Sequence, residues 1–354
     1  MSRFLSSRFQ SLEAYTPGEQ PQDMQYVKLN TNESPFPPSP QVIAAVNALE
    51  VGKLNLYPDP ACTSLRRKLA ALYDLTPENV FLSNGSDDIL NFAFMAFCDE
   101  SRPVAFPAIS YGFYPVYANL YHVPYTAVSL REDFRLESGD YCGIGKNVVI
   151  ANPNAPTGRA IPVSDIESIV RSNPDHVVLV DEAYIDFGGE SCRHLIPRYE
   201  NLLVCQTFSK SRSMAGGRLG FALGSAGLIA DLERIKYSTN PYNINRLTLV
   251  AAEAAIDSND YYVNNCRTIQ ETRAYTVAQL DKLGFFTLPS LANFIFTRCP
   301  RMEGGALYRA LKARGVLVRH WDAPEISDYL RITIGSRRQM DVLLEQIRNI
   351  LQEV

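Results

Sequence analysis

Five short apolar runs, Val80 to Leu82, Val104 to Phe106, Val148 to Ala151, Val177 to Val180 and Leu202 to Val204, recur through the middle of the chain with helix-like segments between them. Runs of this length predict strands, and their alternation with helices predicts an α/β domain on a mainly parallel sheet. Helical spacing is clearest in Leu65, Leu69 and Leu72, in Ile89 to Phe97, and in Val42, Ile43, Val46 and Leu49; such helices are expected to cover both faces of the sheet. After Gly220 the texture changes to long helices over Thr248 to Ile256 and Tyr261 to Leu283. Strands are then predicted at Asn293 to Thr297, Val316 to Arg319 and Tyr329 to Ile334, with a helix near Ala306 to Ala313 and a closing helix over Arg338 to Leu351. The expected layout is a large domain over 35–245 and a smaller α+β unit made from an N-terminal arm, 1–34, and residues 246–354.

Charge and composition remove several classes of function. The net charge is −4, from 34 basic and 38 acidic residues, which gives no concentrated basic surface for nucleic acid. No apolar stretch approaches the roughly 20 residues needed to cross a bilayer. Arg3, Ser6, Ser7 and Arg8 interrupt the start of the chain, so it lacks a signal-peptide core and a cytoplasmic location is expected. The seven cysteines include no Cys-x-x-Cys pair and predict free thiols. The four histidines have no ligand spacing, so no metal is expected.

Chemistry concentrates where the apolar runs end. Ser209-Lys210 lies just past Leu202 to Val204, with Gly216, Gly217 and Arg218 one short loop further on. A lone lysine is most often solvated; a lysine beside hydroxyls and an arginine can instead form a Schiff base with an aldehyde while its neighbours hold a phosphate. Pyridoxal phosphate has both groups. Asp181 ends the run Val177 to Val180, and a carboxylate there can keep a pyridine nitrogen protonated, while the hydroxyl of Tyr184 can hold the ring's phenolic oxygen. In an open α/β sheet, residues at the carboxyl ends of strands face one ligand crevice. Ser83-Asn84-Gly85-Ser86-Asp87, between a strand and a helix, suits an anion or simply caps the helix. Arg331 is a charge inside an apolar strand pattern; an outward-facing position fits the pattern equally well.

In chain order, Tyr15-Thr16-Pro17-Gly18, Leu29-Asn30-Thr31-Asn32-Glu33-Ser34-Pro35, Tyr57-Pro58-Asp59, Ser83 to Asp88, Pro153-Asn154-Ala155-Pro156-Thr157-Gly158, Asp181 to Tyr184, Thr207-Phe208-Ser209-Lys210 and Leu330 to Gly335 resemble the motifs of fold type I pyridoxal-phosphate aminotransferases, and among them the histidinol-phosphate aminotransferases. The resemblance runs nearly end to end. It implies that Lys210 is the Schiff-base lysine and proton shuttle, and that Gly85, Ser86, Asp87, Thr207, Ser209 and Arg218 take the cofactor phosphate. Tyr111 matches the aromatic residue stacked on the ring. The family commonly has Asn directly before the proline of its Asn-Pro-Thr-Gly loop; here that residue is Ala155, which leaves either Asn154, one place earlier, to reach the phenolic oxygen or Tyr184 to hold it without help.

By the same resemblance Arg331 binds the substrate's distal anion, and Arg319, Tyr15 and Asn32 line that pocket. Tyr57 reaches the phosphate of a neighbouring subunit, which implies a homodimer. The implied reaction is ping-pong transfer of an amino group from histidinol phosphate to 2-oxoglutarate, between small-molecule amine and 2-oxo acid substrates. Aromatic or other amino-acid aminotransferases and threonine-phosphate decarboxylases use the same ring motifs, and a non-catalytic pyridoxal-binding regulator stands as a third alternative.

Overall fold

The computed structural model describes residues 4–10 and 12–353. Its first strand, β1 (Val27–Lys28), pairs in parallel with β11 (Val316–Leu317), which ties the N-terminal arm to the C-terminal part of the chain. Seven strands then form the large sheet: β2 (Val80–Ser83), β3 (Val104–Pro107), β4 (Tyr125–Val128), β5 (Asn147–Ala151), β6 (Val178–Asp181), β7 (Leu202–Thr207) and β8 (Gly220–Gly224). Their order is β2-β8-β7-β6-β5-β3-β4, and β8 alone runs antiparallel to its neighbours.

The pleat divides the strand residues between two cores, as a sheet covered on both faces requires. Val148, Ile150, Val178, Val180, Leu202 and Val204 pack on one side with Leu65, Ile166 and Ala252 from three helices. Val149, Leu179, Leu203 and Cys205 pack on the other with Ile89, Tyr114 and Ile229. Burying a Val, Ile or Leu contributes about 1.5–3 kcal/mol, so the parallel centre of the sheet is its firmest part. The small sheet, β12-β13-β10-β9, is antiparallel and is built from β9 (Phe286–Thr287), β10 (Phe294–Arg298), β12 (Arg319–His320) and β13 (Tyr329–Thr333). Its core joins Leu29 of the arm to Ile295, Ile332, Leu343 and Ile347.

Three elements differ from the sequence reading. Gly220–Gly224 is a strand inserted between β2 and β7; its flanking glycines hide the pattern. The Val42 to Leu49 segment breaks into two short helices, Pro40–Ala45 and Ala48–Val51, and leaves Ile43 and Leu49 largely exposed instead of covering the sheet. The helix Arg246–Asp257, assigned from the sequence to the small unit, packs Leu249, Ala252 and Ile256 into the core of the large sheet together with Tyr262. Packing passes to the small unit inside the next helix, Asn259–Lys282, where Cys266 and Ile269 join the third core. The change from one core to the other therefore falls between Tyr262 and Cys266, because the 246–257 helix has its apolar face on the large sheet.

Candidate active site

Strands β5, β6 and β7 end at Ala151, Asp181 and Thr207, and all three residues line one cavity of about 400 Å³. Around them stand Ser86, Asp87, Tyr111, Tyr184, Ser209, Lys210 and Arg218. Residues spread over 133 positions of sequence thus converge because parallel strands deliver their carboxyl ends to the same edge.

Lys210 Nζ donates to the carbonyl of Thr31 at 3.1 Å and lies 5.9 Å from the centre of the Tyr184 ring. Burial, followed by the positive charge of Arg331, pushes its pKa down to about 8. Asp181 is 5% exposed. It accepts from Tyr114 Oη at 3.0 Å and from the Ala183 N–H at 3.1 Å, and burial raises its carboxyl to about 6. Both hydrogen bonds come from neutral donors, so this buried carboxylate has room for a cationic N–H. Tyr184 Oη accepts from Asn32 Nδ2 at 3.0 Å, and burial raises its pKa. Asn32 adopts φ +56°, a region Asn tolerates, and Thr333 Oγ1 donates to its Oδ1 at 3.0 Å.

The opposite end of the cavity suits an anion. Helix Ser86–Phe97 begins beneath it, and the first N–H groups of a helix have no intrahelical partner. Gly85, at φ +96°, lets Arg218 approach: a Cβ there would lie 2.8 Å from Arg218 Nη2. Gly220 is equally constrained, since its Cβ would meet Ser86 N at 2.5 Å. Arg218 has a left-handed backbone and donates to Ser209 Oγ at 3.3 Å and to Asp87 Oδ2 at 3.2 Å. The Asp87 carboxylate also accepts from Tyr111 Oη at 2.6 Å. It is thus held to the side, and what Asp87 can offer an anion is its main-chain N–H. Behind this loop Asn243 Nδ2 donates to Ser83 Oγ at 2.7 Å and Asp88 Oδ2 at 2.8 Å, fixing the helix start.

The remaining expected residues lie outside the cavity lining. Asn154 is turned away: its Nδ2 donates to Ile109 O at 3.0 Å and Thr157 Oγ1 at 3.1 Å, and its Oδ1 accepts from Ser110 Oγ at 2.7 Å. With both side-chain polar atoms engaged, by Ile109 and Ser110 after β3 and by Thr157 of its own loop, it leaves Ala155 to face the cavity. Asn32 reaches the site through Tyr184. Tyr15 stacks on Phe113 at 4.2 Å and lies within the field of Arg319, Arg331 and Asp87. Arg331 Nη2 donates to Asn30 O at 2.8 Å, and the Arg319 guanidinium donates to Thr16 O and Pro17 O at 3.2 Å each. Tyr57 is 78% exposed and stacks on Tyr242 at 4.5 Å.

Residues 24–347 match the family described as aminotransferase class I and II. The chain is 49% identical to histidinol-phosphate aminotransferase of Marinomonas sp., covering 99% of this chain and all of that one. It is 47% identical to histidinol-phosphate aminotransferase 2 of Dechloromonas aromatica over 99% of each chain. The chain belongs to the class I and II aminotransferases and, within them, to the histidinol-phosphate aminotransferase family. Its fold is that of the Sinorhizobium meliloti histidinol-phosphate aminotransferase solved in complex with pyridoxal-5'-phosphate, with TM-score 0.87, 22% identity and 99% of both chains covered. Beyond the expected residues, this aminotransferase brings Tyr114 to Asp181, Asn243 to the anion loop, and Thr31 and Glu33 to the cavity wall. Thr31 and Glu33 sit in a motif already singled out; Tyr114 is one of 19 tyrosines and carries no spacing signal.

No helix among the described residues is long and apolar enough to cross a membrane. Among the same residues, no group of three or more His, Cys, Asp or Glu side chains could hold a metal ion.

Proposed function

We propose that this aminotransferase carries an amino group from histidinol phosphate to 2-oxoglutarate, with pyridoxal phosphate as its cofactor. The observation that carries the substrate assignment is a pair of arginines. Arg319 and Arg331 are register partners on adjacent strands, and their hydrogen bonds go to main-chain carbonyls. Glu19, the acid that feels Arg319, is itself taken by Tyr308 and Lys312. Two guanidinium groups left for a ligand match a dianionic phosphate ester, which accepts several charge-assisted hydrogen bonds at once.

The cavity fits the cofactor. When bound, pyridoxal phosphate supplies an aldehyde carbon and a ring that stores the electron pair left when a bond at the substrate's α-carbon breaks. Arg218, Ser209, Thr207 and the N–H groups of Ser86 and Asp87 would hold its phosphate, and Tyr111 would stand as the aromatic wall. Asp181 would keep a proton on the ring nitrogen, and Tyr184, oriented by Asn32, would hold the phenolic oxygen. Lys210 Nζ would anchor the cofactor, and the same amine, when free, would take up and return the proton at the substrate's α-carbon. With its pKa pushed down to about 8 by burial and Arg331, about half of the free amine is neutral at pH 8, as both duties require. With histidinol phosphate and 2-oxoglutarate, double-reciprocal initial-rate lines should be parallel, and a single-turnover mixture of enzyme and amine should release the carbonyl product before any oxo acid is added. Release of carbon dioxide from threonine phosphate would move the assignment to the lyases.

The functional unit is a homodimer. Ile43, Leu49, Leu54, Leu56 and Tyr57 are exposed within fifteen residues of sequence, an apolar density that soluble monomers seldom leave to water. Tyr57 is absent from the lining of its own cavity and is free to complete the cofactor phosphate site of a second copy. Leu49→Glu combined with Leu54→Glu should convert the dimer to a monomer in sedimentation and weaken cofactor retention at least tenfold. A fully active monomer would remove this part of the proposal.

A further inference from the structure

We propose that Trp321 is the positioning residue of the anion subsite, its indole holding Arg319 and Arg331 in the arrangement that receives a phosphate ester. The inference rests on the phosphate-ester reading above and extends it to a side chain outside the cavity.

The register of β12 and β13 places Arg319 directly opposite Arg331. Like charges in that relation repel across a sheet, and no ligand is needed for the cost to be present. The indole offsets it. Arg319 Cζ lies 5.4 Å from the Trp321 ring and Arg331 Cζ lies 5.3 Å from it, both inside the distance at which the negative face of an indole attracts a guanidinium. One electron-rich ring therefore serves two cations. Arg331 also has the Phe294 ring at 5.4 Å, while its Nε is buried without a hydrogen-bond partner. A buried donor of that kind is costly unless something pays for it, and two aromatic neighbours together with an incoming phosphate oxygen supply the compensation.

Trp321 is itself braced from behind. It packs against the apolar cluster of Leu288, Phe296 and Ile326, so the indole is a fixed plate and the two flexible arginine side chains are ordered against it before a ligand arrives. Preorganisation of this kind lowers the entropic cost of binding. It leaves bond breaking at Lys210 unaffected, so its signature is a change in KM with little change in kcat.

Trp321 is the single tryptophan of the chain, which makes intrinsic emission a direct report on this subsite. In the wild-type holoenzyme, inorganic phosphate should change that emission saturably. Trp321→Leu, which keeps apolar bulk and removes the π-face, should raise KM for histidinol phosphate about tenfold, within the roughly 2- to 30-fold range spanned by exposed and desolvated cation–π contacts, and alter kcat less than about twofold. Trp321→Phe, which keeps a face, should recover most of the loss. For histidinol, the same amine without the phosphate, KM should be equal in all three proteins.

An equal KM rise for both amines, or a loss confined to kcat, would show that Trp321 acts only on general structure and overturns the proposal. If the wild type favours histidinol phosphate and Trp321→Leu favours it to the same degree, the phosphate-ester reading stands and the role of Trp321 falls. If the wild type treats the two amines alike and phosphate leaves its emission unchanged, both fall together.

Discussion

Lys210→Ala is expected to lower turnover by at least about 10⁴-fold, the upper end of what a positioned acid–base group contributes, because the same side chain is both anchor and proton carrier. The geometry leaves no understudy. Lys210 Nζ is the amine that stands beside Tyr184 and the Thr31 carbonyl at the strand ends, whereas Lys28, on the arm, is held by Glu33 at 2.7 Å. Borohydride should fix pyridoxal phosphate covalently to the wild-type protein and leave it extractable from the variant. Lys210→Arg should be as inactive as the alanine variant, since a guanidinium keeps its proton at every accessible pH and offers no neutral amine. The space vacated in Lys210→Ala should admit methylamine, with partial rescue that rises as pH approaches the pKa of that amine. The wild type should behave differently: its lysine, near 8 because of burial and Arg331, should take up cofactor into the apoenzyme at a rate that climbs from pH 6 and levels off above about pH 8. A Lys210→Ala protein with turnover within tenfold of wild type would place the catalytic amine elsewhere.

How much of this was legible depended on whether a residue's role is tied to its place on a strand. Lys210 and Asp181 both follow apolar runs, and because ligands sit at the carboxyl ends of parallel strands the sequence alone places them at one cavity. Arg331 stood out as a charge in an apolar strand pattern and is within electrostatic reach of Lys210. The losses have equally specific causes. Tyr114 lies in the helix Phe113–Tyr121 and meets Asp181 only through helix-on-sheet packing, which no local pattern encodes. Val42 to Leu49 has helical spacing, yet only Val42 reaches the core of the large sheet while Ile43 and Leu49 stay exposed, and spacing alone does not separate a face that covers the sheet from one that does not. Asn154 sits one place from the expected position, yet its side chain ties its loop to Ile109 and Ser110 after β3. Trp321 bears on the site only because cross-strand register aligns Arg319 with Arg331, and register is a property of the folded sheet.

Asp181→Asn should have opposite effects on activity and on the stability of the apoenzyme. In the loaded enzyme the carboxylate faces a protonated ring nitrogen, and replacing it removes the charge that keeps the proton there; loss of one such electrostatic contact in a dry site costs about 10²–10³ in turnover. In the apoenzyme the ring cation is absent, and burial outweighs the two hydrogen bonds and the charge of Lys210 that favour the carboxylate. Burial raises its pKa from 3.8 to about 6, so between those values the folded state binds the proton that the unfolded state releases. The sign follows from linkage: stability is greatest where both states are protonated, below about pH 4, and declines as pH rises through about 6. At 1.36 kcal/mol per unit the loss is on the order of 3 kcal/mol at neutral pH. Asparagine escapes it, because its Oδ1 can still accept from the Ala183 N–H while its Nδ2 donates to Tyr114 Oη in place of the bond that now runs the other way. Thermal melts of apoenzyme at pH 7.5 should therefore show Asp181→Asn more stable than wild type, with the gap closing towards pH 4. Adding pyridoxal phosphate at pH 7.5 should raise the wild-type midpoint more than that of the variant, since only the wild type gains an ion pair on binding. A variant less stable than wild type in the apo form at pH 7.5 would mean that Asp181 is already compensated by the protein alone, and that its charge is not held in reserve for the ring.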